Sequence, residues 1–277
     1  MERSIAAVLP AQRVIDDGDM LLWRALPLPE RDHLGPFVFI DHYRHHSQRG
    51  IGDKPHPHAG IEVLSYLLEG GVEHRDSMGT ADRLGPGDAQ CIRAGRGMLH
   101  AEQPQGGRHG LQLWTSLPPA QKLAAPSYAS FRAAAIPSLA RAGAQVKVLA
   151  GGIDGLEGPM RLASPTVLAH VRLAPDAVVS LSVEAAAELG LYVMNGQIGV
   201  GGTVIDPGKL VVLMPGDQVK FAASGRKPAD AVLLGGAPVK GAILFSSPFV
   251  MDTAERLAQA KQDFASGKMG TLDGVPF

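Results

Sequence analysis

GDKPHPHAGIEVLSYLLEGG, residues 52–71, sets two histidines one residue apart at the mouth of an apolar run that closes on a pair of glycines. The run EVLSYLL (62–68) has the length and the β-branched and aromatic content of a buried strand, and it is one of several. FVFI (37–40), LVVLM (210–214) and AILFSS (242–247) are of the same kind, and 34 glycines and 21 prolines punctuate the chain between them. Many short strands joined by Gly/Pro turns predict an all-β protein built as a sandwich or barrel. One helix is expected, at the end: Asp252 can cap TAERLAQAKQDFAS (253–266), Glu255 follows three residues on, and Leu257, Ala260 and Phe264 share a face before Gly267.

The strand around Tyr66 has an echo. YLLEG (66–70) parallels YVMNG (192–196), and PGDAQCIRAG from Pro86 parallels PGKLVVLMPG from Pro207, with a shorter hairpin between the matched pieces in the second half. A duplicated β-domain is the expectation. Between the halves, PPAQKLAAPSYASFRAAAIPS (118–138) reads as a connection lying over a surface. This divides the chain into an N-terminal domain at 1–135 and a C-terminal domain at 136–277, which includes the closing helix.

Composition removes several function classes. The 277 residues carry 26 basic and 27 acidic side chains with no basic run, so direct nucleic-acid binding has no footprint. No apolar stretch reaches the roughly 20 residues that span a bilayer, so no membrane role is expected. The lone Cys91 cannot form an intramolecular disulfide, and charges break up the N-terminal segment where a signal peptide needs an apolar block. A soluble, cytoplasmic protein in a reducing setting is expected.

On an extended strand, residues i and i+2 project to one face, so His56 and His58 point together, with Glu62 in the same parity if the strand stays regular. Some forty residues on, GRGMLHAEQP (95–104) repeats the spacing with His100 and Glu102. Three imidazoles and a carboxylate facing one another would bind a divalent transition metal ion and leave two octahedral positions open. Each pair alone also fits a polar turn or a half-exposed strand; together they are far more specific. The remaining histidines, His33, His42, His45, His46, His74, His109 and His170, lack the paired spacing and read as loop, surface or hydrogen-bonded residues. Cys91 reads as a small buried hydrophobe. Gly95 and Gly97 suit a tight turn before His100, and Arg93 or Arg96 either lines the approach to the ion or faces solvent.

GPFVFIDHY (35–43), HPHAGIEVLSYLLEGGVEHRDSMG (56–79), PGDAQCIRAGRGMLHAE (86–102) and LQLW (111–114) resemble, in order, the successive signatures of the pirin family, members of the cupin superfamily. The wider cupin pattern is visible as Gly50, His56, His58 and Glu62, then Gly97 and His100. The resemblance implies two tandem cupin (double-stranded β-helix) barrels with a C-terminal helix. It implies one metal held by His56, His58, His100 and Glu102, with iron(II) as the family's usual ion. Carried across the repeat, His56 and His58 fall on Ser182 and Glu184, and His100 and Glu102 on Phe221 and Ala223. The second barrel is therefore expected to hold no metal.

The resemblance also implies an activity. Bacterial pirins include quercetin 2,3-dioxygenases, which cleave the central heterocycle of a flavonol with dioxygen and release carbon monoxide. Glu102 is then the catalytic residue, accepting the proton of the flavonol 3-hydroxyl, a role Glu62 could share if it lies inside the barrel; Glu62 is otherwise a further ligand or a carboxylate that only orients a histidine. Phe37, Phe39, Met98 and Trp114 are candidates for an aromatic substrate's wall, although each also suits a core. A reading of another class is a metal-dependent, redox-sensing protein that docks on a transcription factor or metabolic enzyme, the ion's charge biasing the contact. An ion that merely braces the fold is a third, disfavoured by the open positions.

Overall fold

The computed structural model describes residues 1–46, 52–185, 187–272 and 274–275. Gly50 of the cupin pattern lies outside the described residues. The chain is mostly β, with one α-helix, Ala254–Ala265, among the described residues. It forms two compact units: one of 1–12, 23–37 and 134–238, the other of 13–22, 38–133 and 239–277. The helix thus belongs to the unit that contains both His pairs.

In that unit one sheet runs in the order Ser127–Phe131, Ala89–Arg93, Ile61–Asp76, Met98–Ser116, Phe37–His45, and the short strand His56–His58 is added against Met98–Ser116. Ile61–Asp76 and Met98–Ser116 pair in antiparallel register from Ile61↔Ser116 to Asp76↔His100, with irregularities near Leu67–Glu69 and Gly70–Gly71. Those bulges matter because each inserted residue changes which face the following side chains take. Val63, Ile92, Met98, Trp114 and Phe39 form one buried apolar cluster. Lys122 is buried, and its ammonium donates to the carbonyls of Gly60 (2.8 Å) and Val250 (2.9 Å) and to Ser116 Oγ (2.8 Å). It fastens the turn after His58 to the C-terminal segment. Gly60 has φ +76°, and a Cβ there would run into the Val250 carbonyl, so the turn accepts no side chain.

The segment 118–138 is more ordered than a surface connection. Ser127–Phe131 pairs with Ala89–Arg93 along its length, its alternation leaving Tyr128 half-buried while Ser127 is exposed. The helix cap also differs from expectation. Thr253, extended at φ −136°, accepts from the Arg256 amide, and Asp252 instead pairs with the Arg256 guanidinium at 2.7 Å. The threonine is one residue nearer the first turn, within reach of its free amides.

The other unit repeats the plan. Glu188–Asn195, which contains the first four residues of YVMNG, lies between Lys209–Leu213 and Ala229–Gly236, as Ile61–Asp76 lies between Ala89–Arg93 and Met98–Ser116. A four-stranded sheet, Val178–Ser182, Gln218–Ala223, Ile198–Val200, Thr203–Ile205, completes it.

Candidate metal centre

His56 pairs with His100 across the two strands and His58 with Met98, so the His-x-His edge is laid directly against the second cluster. The imidazole centroids of His56, His58 and His100 lie 4.3–5.1 Å apart, and one ring nitrogen from each falls within 4.8 Å of the others. Backbone carbonyls set the tautomers: His56 Nδ1 lies 2.9 Å from Lys54 O, and His58 Nδ1 3.4 Å from Pro248 O. Each Nδ1 then carries the proton and each Nε2 keeps a lone pair, the second-layer arrangement common around metal ions. Among the described residues, neither His58 Nε2 nor either nitrogen of His100 has a hydrogen-bond partner, although all are buried. Buried polar atoms are nearly always satisfied, so converging orphan lone pairs fit a cation. Burial, and then the neighbouring His56, lowers His58 to about 3, and burial holds His100 well below the usual imidazole range. Both rings are neutral, the form that ligates.

Glu102 is buried beside them, its Oε1 3.8 Å from His100 Nδ1. Burial alone would push its carboxyl up, but the Arg108 guanidinium, with Nη1 2.7 Å from Oε2, and the neighbouring His74 and His56 together hold the acid below its ordinary value. Gln90 Nε2 donates to Oε1 and to Ser65 Oγ. The structure groups Glu102 most tightly with His100 and a residue set aside in the sequence, His74. His74 is fully buried, opposite Glu102 in register; its Nε2 lies 3.3 Å from Asp76 Oδ2, its Nδ1 has no partner, and its ring stacks on Tyr128 at 4.6 Å. The signal was present in the sequence: His74-x-Asp76 repeats the i, i+2 spacing, on a strand that continues past Gly70–Gly71. Tyr128 could not be found that way, because its place depends on the pairing of a segment that reads as a connection.

Glu62 is not part of the cluster. Its carboxylate accepts from Arg93 (2.9 and 3.1 Å) and Thr115 Oγ1 (2.9 Å), its two register partners. Val63, Ile92 and Trp114, each one position over, face the apolar cluster beside His58, so Glu62, Arg93 and Thr115 take the opposite face. His42 Nε2 meets His109 Nε2 at 2.8 Å, outside both histidine groups. Burial holds the Cys91 thiol up, as a core residue's would be. Gly95 (φ +52°) and Gly97 (φ +132°) make the turn before His100. Of the aromatic candidates, Phe39, Met98 and Trp114 share the cluster; Trp114 stacks on Phe39 (4.1 Å) and meets the His58 ring edge-on (5.0 Å). Phe37 is buried outside that cluster.

A sheet-based fold of duplicated cupin type, with imidazoles converging in its first half, defines a cupin with a candidate metal site. The chain belongs to the pirin family: the family profile described as Pirin matches residues 21–115, and that of the Pirin C-terminal cupin domain matches 168–270. Human Pirin is 34% identical over 254 residues, covering 89% of this chain and 87% of the human one. A solved quercetin 2,3-dioxygenase from Acinetobacter baumannii superposes with a TM-score of 0.88 at 25% identity, covering 98% of this chain and 99% of its own. The bacterial pirin YhhW from Escherichia coli, solved in complex with nickel(II), shares the fold at a TM-score of 0.67 and 22% identity, covering 84% of this chain and all of its own. Among the described residues no helix is long and apolar enough to cross a membrane.

Proposed function

We propose that this chain is a metal-dependent dioxygenase of the pirin type. It opens the central heterocycle of a flavonol such as quercetin with release of carbon monoxide, at one iron(II) held by His56, His58, His100 and Glu102. The observation that carries the reading is the convergence of buried, neutral imidazole nitrogens without partners beside an ionised carboxylate. The likeness to the Acinetobacter enzyme supports the substrate class. The division near residue 135 into a metal-binding first domain and a metal-free second one is part of the same proposal.

A bound ferrous ion would supply Lewis acidity and redox chemistry toward the flavonol and dioxygen. The chain's own residues do the rest. Lys54 O and Pro248 O hold the rings of His56 and His58 in orientation. Glu102, kept ionised by Arg108, is in the form that can accept the 3-hydroxyl proton of the flavonol. Phe39, Met98 and Trp114 present the apolar, aromatic surface suited to a planar ring system.

The test is oxygen uptake by anaerobically purified, Fe(II)-loaded protein on adding quercetin, with carbon monoxide detected alongside and Glu102→Ala as control. Metal-dependent uptake with carbon monoxide release, abolished in the variant, is the expected result. Fully metallated protein that consumes no oxygen would overturn the reading in favour of the docking regulator, and the next experiment would be capture of a protein partner by metal-loaded against metal-free chain.

A further inference from the structure

The buried Glu102–Arg108 pair has a physical consequence for the metal centre. An ionised carboxylate in a protein interior is strongly destabilising unless a positive charge and hydrogen bonds compensate it. When metal is bound, the ion supplies that charge. Before it binds, something else must, and the fold provides a candidate: Arg108 is buried, its Nη1 lies 2.7 Å from Glu102 Oε2, and its guanidinium carbon sits 4.7 Å over the Tyr43 ring. Gln90 holds the other oxygen, Oε1, and is itself fixed by Ser65 and by Tyr128, whose hydroxyl lies 3.2 Å from Gln90 Oε1. The carboxylate is clamped from both sides.

We infer that Arg108 is an internal counter-ion: it substitutes for the metal's charge in the metal-free protein, keeping the site folded with Glu102 ionised, and it opposes the metal once the ion arrives. This rests on the four-ligand centre proposed above and assigns a positioning role, since Arg108 acts through Glu102. The two halves of the role have opposite signs. A residue that merely braces a ligand lowers metal affinity when it is removed. A competing cation raises it, because a like charge a few ångströms from a divalent ion is taken away. The apo fold responds in the other direction: removing Arg108 strands a buried anion, so the metal-free protein loses stability that added metal restores. The stretch QPQGGRHG (103–110) supplies the arginine just after the hairpin bulge, where the register with Ile61–Asp76 passes from Gln105 to Arg108 and skips Gly106 and Gly107. With those two residues bulged out, Arg108 stands only four register positions from Glu102, on the same face.

The experiment measures nickel(II) and cobalt(II) affinity at pH 8 by competition with a chelator, together with thermal melting of metal-free and metal-loaded protein, for wild type, Arg108→Met, Arg108→Lys and the double variant Glu102→Gln/Arg108→Met. Arg108→Met is expected to bind metal about tenfold or more tightly. Its metal-free form should melt lower than wild type, and loading with metal should close the gap. Arg108→Lys keeps the charge, and its affinity should stay within about threefold of wild type. The double variant, with no buried anion left to compensate, should regain most of the metal-free stability lost in Arg108→Met. Arg108→Met binding metal as wild type does or more weakly, with a metal-free melting point unchanged, would overturn the inference. If Arg108→Met does not fold even with metal, the double variant decides: a folded metal-free double variant supports the counter-ion, an unfolded one refutes it. Failure of wild type itself to bind one ion, or binding indifferent to Glu102→Ala, would instead sink the four-ligand centre on which the inference stands.

Discussion

The two units of this protein use equivalent strands for opposite purposes. In the first, His56 pairs with His100 and His74 with Glu102. In the second, Phe221 and Ala223 stand where the repeat puts His100 and Glu102, and their register partners are Val179 and Ile198. Leu181, opposite Val219, completes the set as the counterpart of His58 opposite Met98. All six belong to one apolar core cluster. The sequence alignment had put Ser182 and Glu184 in the places of His56 and His58; the ladder moves both by three residues, onto Val179 and Leu181. The same arrangement of strands therefore holds a cluster of imidazoles in one unit and a packed apolar core in the other. What differs is the solution to burial. Apolar side chains need only one another, whereas polar ones need a cation or a hydrogen-bond network.

This contrast can be broken in a graded way. The largest effect is expected from His100→Ala, which should take metal content from about one ion per chain to near none, by elemental analysis, with the fold retained by circular dichroism. The equivalent change in the other unit, Phe221→Ala, should leave metal content alone and cost about 3–5 kcal/mol of stability in denaturant unfolding, the range for a large buried aromatic. Metal loss in Phe221→Ala would mean that the two halves are not independent in this sense. The pH response should also separate them. Unfolded imidazoles take a proton near pH 6.5, whereas burial lowers folded His58 and His42 to about 3. The stability they contribute is present above 6.5 and lost as pH falls toward 3, so metal-free protein should unfold progressively across that window in a pH-jump melting series. A variant carrying both His58→Leu and His42→Leu should flatten the slope. Glu62→Gln is expected to cost about 1–3 kcal/mol through its lost charge-assisted bonds with Arg93, and to leave metal affinity unchanged. Weaker metal binding there would return Glu62 to the site. Smallest of all, Thr253→Ala should cost about 1 kcal/mol through the helix cap, and Asp252→Ala should cost the cap nothing.

Strand content, the duplication and the approach of His56, His58 and His100 were legible in the residues, because period-two spacing on an extended chain dictates which side chains share a face; the structure sets Glu102 in a group with His100 and His74. His74 was legible in principle through its spacing to Asp76, but the bulges between Leu67 and Gly71 hide the change of face that brings it inward. Glu62 shows the converse. Its parity with the histidines suggested a ligand, yet His56–His58 and Ile61–Asp76 are separate strands with the Gly60 turn between them, so parity does not carry across.

By itself, the sequence determined that this is a duplicated β-protein of the pirin kind with paired His-x-His and His-x-Glu spacings in its first half, since local spacing and residue chemistry suffice for that. Only the tertiary structure decided which carboxylate faces the imidazoles, that the C-terminal helix lies in the unit with the site, that Tyr128 backs His74, and that Arg108 clamps Glu102. Those facts depend on bulges, strand register and contacts between distant segments, and none of these follows from the order of residues along a single strand.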